Sequence, residues 1–352
     1  MSGLVDWELA GRVARAAAGD GPASMASAPR LEDAAERGEG AVLAYTRLEP
    51  QEPVPPAEWV SRREWAEANL ASMRGPIGLL EERIAETRAD VGKGAMGAVA
   101  GRIIAIEIGG VVGLASRRVL GQYEFPILGE GTPRLLFVGQ NIESAADELS
   151  ADPVELLDWI ATHEVTHAVH FAAAPWLRGH LSSLARTLLA EAPLRIEARD
   201  ILAGARGLAS DPRKLLADLR EGDPITLLAP PQSRETIATV QATMAAIEGF
   251  AEHVMDVAAS ELGLAVEELR AGIDRRREGR STFARVLSWL LGFEMKLRQY
   301  REGKRFCDEV VARAGIEELN RAWRGAAELP SPAELASAEA WLARVGPASI
   351  AA

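Results

Sequence analysis

Residues Ala151 to Phe171 read Ala-Asp-Pro-Val-Glu-Leu-Leu-Asp-Trp-Ile-Ala-Thr-His-Glu-Val-Thr-His-Ala-Val-His-Phe. Asp152 is a good N-cap, Pro153 suits the first helical position and Glu155 completes a capping box. Pro175 cannot continue a helix, so the stretch predicts one helix from about Pro153 to Ala173. Inside it lies His163-Glu164-Val165-Thr166-His167. Residues four apart stand one turn apart on one helix face. Two imidazoles placed there reach a single Zn²⁺ at roughly 2.0–2.1 Å. Glu164 is rotated by about 100° from His163. From there its carboxylate reaches a water at the metal without being a ligand, which is the general-base position of a zinc hydrolase. Only five histidines occur in the chain, at 163, 167, 170, 180 and 253, so the motif is not a by-product of a histidine-rich composition.

A catalytic zinc centre takes three protein ligands and keeps a fourth position open. His170 shares the face of His163 and His167 but lies about 10 Å along the axis from His163, too far for one straight helix to wrap a tetrahedral ion easily. A metzincin-like pattern wants Gly at position 170 and His at 173, where this chain has His170 and Ala173. Cys307 is a further candidate, since peptide deformylases join a cysteine to an H-E-x-x-H helix. The favoured reading is a gluzincin-like glutamate on a later helix. Ser233 caps a stretch running to about Ala259 that contains Glu248-Gly-Phe-Ala-Glu252-His253-Val-Met-Asp256. Glu248 and Glu252 share a face with Met244 and Met255, and a carboxylate pair among apolar neighbours is costly unless paired or metal-bound. Gly249 and Ala251 would let another helix approach. Glu248 is therefore expected as the third ligand, with Glu252 behind it orienting a ligand histidine. The competing reading is a solvated acidic face. Cys307, His170 and Glu294 stay open as alternatives.

The chain has 352 residues with 39 Lys+Arg against 51 Asp+Glu, a formal net charge of −12. That acidity argues against a general nucleic-acid or anionic-membrane binder. The single cysteine excludes an internal disulfide framework and a multi-cysteine zinc ribbon, and fits a reducing compartment. The opening Met1-Ser-Gly-Leu-Val-Asp-Trp lacks a basic region followed by an apolar run. The most apolar stretch, Gly92 to Leu120, is interrupted by Arg102 and Glu107 and followed by Arg117-Arg118. It reads as closely packed helices in which Gly and Ala let backbones approach, not as a membrane span. The expectation is a cytoplasmic protein with a peptide or small amide substrate, no nucleic acid and no membrane. Its oligomeric state stays open.

The fold class expected is α+β, predominantly α-helical, with a small β element. Residues 1–56 read as an N-terminal helical segment with a connector rich in proline, at Pro50, Pro53, Pro55 and Pro56; residues 57–352 read as a single helical domain. Arg134-Leu-Leu-Phe-Val138 is the best strand candidate, short, apolar and bounded by Pro133 and Gly139. Gly92-Lys-Gly-Ala-Met-Gly97 matches G-x-G-x-x-G, but a charged helical stretch precedes it and no βαβ unit surrounds it, so no dinucleotide site is expected. No Walker A or G-x-S-x-G motif is present. Between Arg275 and Arg305 stand ten Lys/Arg and three Asp/Glu, either an anion-binding patch or a solvated helix face. Within it, Thr282 to Glu302 reads as helix with Glu294 in the apolar stripe, which asks for a buried partner or a place around the metal. Tyr300, His253 and His180 are the candidates for stabilising an oxyanion.

His163-Glu-Val-Thr-His-Ala-Val-His-Phe171 followed by Pro175-Trp-Leu-Arg178 resembles the zincin-like metallopeptidase type 2 family. So do Glu248-Gly-Phe-Ala-Glu-His-Val-Met-Asp256, Lys296-Leu-Arg-Gln-Tyr-Arg-Glu-Gly303, Val5-Asp-Trp7 and Val119-Leu-Gly-Gln-Tyr123. The resemblance implies a zinc-hydrolase-like site at His163, Glu164 and His167. The family is sometimes labelled as associated with biosynthesis of a deazaflavin coenzyme, a label that implies no reaction. In zincins an edge strand beside the metal helix holds peptide substrates by main-chain pairing, and by analogy Leu135 to Val138 is expected in that place. The activity expected is zinc-dependent hydrolysis of a peptide or other amide bond. The alternatives are a small-molecule amidohydrolase and a non-catalytic protein whose zinc only holds the fold together.

Overall fold

The computed structural model describes residues 4–25, 31–87, 94–129, 131–191, 233–278 and 297–346. In chain order the described elements are α1 (Trp7–Ala18), α2 (Leu31–Thr46), β1 (Ala57–Trp59), α3 (Arg62–Thr87), α4 (Gly94–Ala115), β2 (Gly121–Glu124), β3 (Arg134–Phe137), α5 (Gly139–Leu149), α6 (Pro153–Ala173), α7 (Trp176–Glu191), α8 (Ser233–Glu261), α9 (Val266–Glu278), α10 (Leu297–Ala314), α11 (Ile316–Leu319) and α12 (Ala338–Val345). The fold is predominantly helical α+β, with one small three-stranded sheet among the described residues.

The motif helix α6 starts where its cap dictates. Asp152 Oδ1 accepts hydrogen bonds from the backbone N–H groups of Val154 at 2.8 Å and Glu155 at 3.1 Å. These satisfy two donors that a helix N-terminus otherwise leaves orphaned. Downstream of its first turn the helix is buried on most sides, from Leu156 to Ala172. It packs on α2 and α8, and that arrangement puts the motif in the middle of the principal core. Gly249 of α8 and Gly303 of α10 meet back to back: a Cβ on Gly249 would collide with the Gly303 backbone, and one on Gly303 with the Ala245 carbonyl. The small residues flanking Glu248 therefore bring α10, not the motif helix, into close contact.

The sheet order is β1-β3-β2, with β1 parallel and β2 antiparallel to β3. β3 is thus the central strand. Leu135 and Phe137 face the principal core, while Leu136 and Val138 face a second core built on α1, α3 and α4. Burial on both faces explains the unbroken apolar run, because a half-buried strand would alternate. The expectation of an edge strand at Leu135–Val138 is therefore corrected: an edge strand lies beside the motif helix, but it is β2, Gly121–Glu124.

In the second core, a Cβ at Gly109 or Gly113 of α4 would collide with the carbonyl of Ala10 or Ala14 in α1, so glycine allows this close helix pair. Among the described residues Gly97–Ala115 is the one helix long and apolar enough to cross a membrane, with mean hydropathy 1.8; 39% of it is buried by this packing.

Candidate metal centre

His163 and His167 lie one turn apart on α6, their rings edge to face with centroids 4.8 Å apart. Their Nε2 atoms converge to 3.2 Å. Helix α8 delivers Glu248, whose Oε2 lies 3.7 Å from His167 Nε2. One ligand atom from each of the three falls within 4.8 Å of the others. Ligands roughly 2.0–2.1 Å from a tetrahedral zinc stand about 3.3 Å from one another. The three residues fit such an ion in donor type and, within small side-chain movements, in spacing. Burial pushes the His167 imidazole below its usual pKa, with Glu164 and Glu252 pulling the other way. The net effect favours the neutral ring, the form in which a histidine can bind a metal.

Glu164 points to the neighbouring strand. Its Oε2 accepts a hydrogen bond from the backbone N–H of Tyr123 at 2.8 Å. Val138 N donates to Leu120 O, so by the alternation of an antiparallel ladder Gly121 and Tyr123 turn their backbone groups away from β3. Gly121 makes the approach possible, since a Cβ there would sit 2.7 Å from Glu164 Cγ and 3.1 Å from Ile160 Cγ2.

Behind Glu248 the polar side chains form a chain of alternating charge. Glu252 is buried, with Oε2 3.6 Å from Arg270 Nη1 of α9. Arg270 Nε donates to Asp256 Oδ1 at 3.0 Å. Lys304 Nζ of α10 bridges Asp256 Oδ2 at 3.2 Å and Asp308 Oδ2 at 2.7 Å. Asp308 Oδ1 lies 2.7 Å from His253 Nδ1, and His253 Nε2 lies 2.7 Å from the Tyr45 hydroxyl of α2. Burial works against the charge on Lys304, yet Asp308 and Asp256 hold its pKa up. Burial likewise works against the Asp308 carboxylate, but His253 and Lys304 pull its pKa down.

Of the other residues singled out by sequence, His253 has both ring nitrogens engaged, by Asp308 and Tyr45. The Tyr300 side chain and Glu294 lie outside the described residues, as does most of the Thr282–Glu302 stretch. His170 is fully buried against Phe250, Phe171 and Trp323, with ring centroids 4.8, 5.6 and 4.0 Å away, and burial pushes its pKa well down. Cys307 is buried in the principal core, where burial pushes its thiol up and disfavours a thiolate ligand. Neither belongs to the group formed by His163, His167 and Glu248. Sequence reading missed Gly121, Tyr123, Tyr45, Arg270, Lys304 and Asp308 as parts of the site's support. Only the Lys304–Asp308 spacing of four carried a local signal.

A family model described as zincin-like metallopeptidase matches residues 5–342. No curated protein matches. Among solved structures, the crystal structure of "a putative hydrolase with a novel fold" from Chloroflexus aurantiacus is similar at 27% sequence identity and a TM-score of 0.71, covering 97% of this chain and 98% of that one. With an H-E-x-x-H helix, an acidic residue completing the donor set and a family match over nearly the whole length, the chain belongs to the zincin-like metallopeptidase family.

Proposed function

We propose that the protein is a zinc-dependent hydrolase that cleaves a peptide or other amide bond. The observation that carries this reading is the convergence of His163, His167 and Glu248 on one point, with Glu164 held one residue further along the same helix. His163, His167 and Glu248 would hold a zinc ion there, which would supply Lewis acidity toward a carbonyl and lower the pKa of water. Glu164 then takes a proton from the attacking water and returns it to the leaving nitrogen as the C–N bond breaks. The Tyr123 N–H fixes the Glu164 carboxylate against β2, so the base is aimed before substrate arrives. Glu252, anchored by Arg270, sets a negative charge behind the ligand histidines. The edge position of β2 favours an extended peptide, whose N–H groups would pair with the outward carbonyls of the strand, the Tyr123 N–H being held by Glu164.

The test is Glu164→Gln, assayed on a peptide library and on simple amides beside the wild type. The variant is expected to keep its zinc and lose turnover by about 10²–10⁴-fold. Full activity in the variant rejects Glu164 as the base. A wild type with bound zinc and no hydrolysis of any amide supports a metal that only holds the fold.

A further inference from the structure

Every large apolar side chain that stands exposed among the described residues lies on α4: Val99 at 56%, Ile103 at 53%, Ile106 at 51% and Leu114 at 56%. Val99, Ile103 and Ile106 are spaced four and three apart, and Gly110 continues the series by four with open space where a Cβ would stand. That is the alternation of the two seam positions of a heptad. The stripe runs opposite the face of α4 that carries Ala105, Ile108 and Val112 into the second core. An apolar face of this regularity marks an interaction surface.

The charges beside the stripe say what it fits. Arg102 and Glu107 are both exposed and border it on opposite edges, five residues apart. With Ile103 and Ile106 in the seam, Arg102 takes the flanking position before the seam and Glu107 the one after it. In a parallel helix pair, the first of these on one chain meets the second, five residues on, in its partner. In an antiparallel pair like flanks would meet, setting arginine edge against arginine edge. An anionic membrane surface is disfavoured by the net charge of −12 and by Glu107 at the rim. We propose that α4 is a homodimer face: two copies pair along α4, parallel and in register. Arg102 then meets Glu107 of the partner subunit and Glu107 meets the partner's Arg102. Gly110 lets the two backbones close up where no side chain intervenes.

Sedimentation equilibrium of the full chain over a wide concentration range tests this. The wild type is expected to be a reversible dimer. Ile103→Glu/Ile106→Glu, a change on exposed positions that leaves helix content by circular dichroism unchanged, is expected to be monomeric. Arg102→Glu and Glu107→Arg each put like charges across the seam twice and should weaken the dimer about tenfold. The double variant Arg102→Glu/Glu107→Arg should return to wild-type affinity, and an equimolar mixture of the two single variants should form the heterodimer. A wild type that stays monomeric throughout overturns the proposal. So does a dimer indifferent to the isoleucine changes, or a double variant that fails to recover. Sedimentation of the wild type with neutral or anionic vesicles, lost in the isoleucine variant, would assign the face to a membrane instead.

Discussion

At position 121 a single hydrogen in place of a methyl group decides how close Glu164 comes to the sheet. Gly121 faces Glu164 Cγ across a gap that a Cβ would close to 2.7 Å. Gly121→Ala is expected to push Glu164 off its Tyr123 hydrogen bond and lower kcat by about 10²-fold, since a displacement on the order of 1 Å suffices for that. Its zinc content should equal that of the wild type, because no ligand is touched; measuring kcat and metal on the same preparation separates the two effects. The residues read from sequence and those missed divide by distance along the chain. His163, Glu164 and His167 share one turn of one helix, so their spacing shows their geometry directly. Glu248 was legible because a carboxylate on an apolar face asks for a partner, though only the packing of α8 on α6 shows which one. Tyr45 and His253 are 208 residues apart, and nothing local in an alanine-rich helix marks Tyr45 as the end of a polar chain.

Between elements, Lys304 is the cation that ties α10 to α8, by contact with Asp256 and Asp308. Lys304→Met would leave two part-buried carboxylates without it and is expected to cost about 1–3 kcal/mol in denaturant unfolding. The pH dependence follows from the directions of the shifts. The raised Lys304 pKa contributes stability that is complete below the unfolded lysine value and lost as pH rises through the folded one. The depressed Asp308 pKa contributes stability present above the unfolded aspartate value and lost as pH falls through the folded one. Thermal midpoints should therefore fall at both ends of the pH range, and Lys304→Met should flatten the alkaline fall. At the C-terminal end, Glu334 is drawn down to about 2 by Arg344, whose Nε and Nη2 lie 2.6 and 3.0 Å from its two oxygens. Glu334→Gln should lower stability at neutral pH by about 1 kcal/mol, and the difference should vanish as the pH approaches 2. Helix α6 was legible to its ends because cap, proline and motif agree. β2 was not, because Gly-Gln-Tyr-Glu carries no strand pattern and owes its conformation to pairing with β3. The sequence of β3 announces a strand, but whether it lies at an edge or the centre depends on which helices cover its two faces.

Across the described residues, the three-stranded sheet separates two cores, and α6 lies in the larger one with Glu164 turned to the sheet's edge. A metal held by both α6 and α8 links their packing, so binding adds to folding stability. Zinc at a hundredfold excess over its Kd should stabilise the chain by about 2.7 kcal/mol and raise the thermal midpoint, an effect absent from His163→Ala/His167→Ala. The most direct test is metal content by mass spectrometry on protein purified with neither added metal nor chelator. It compares the wild type, His163→Ala/His167→Ala and Glu248→Ala. About one zinc per wild-type chain, lost from both variants, is the expected result. A Glu248→Ala protein that holds zinc as the wild type does would contradict the assignment and move the third ligand off α8.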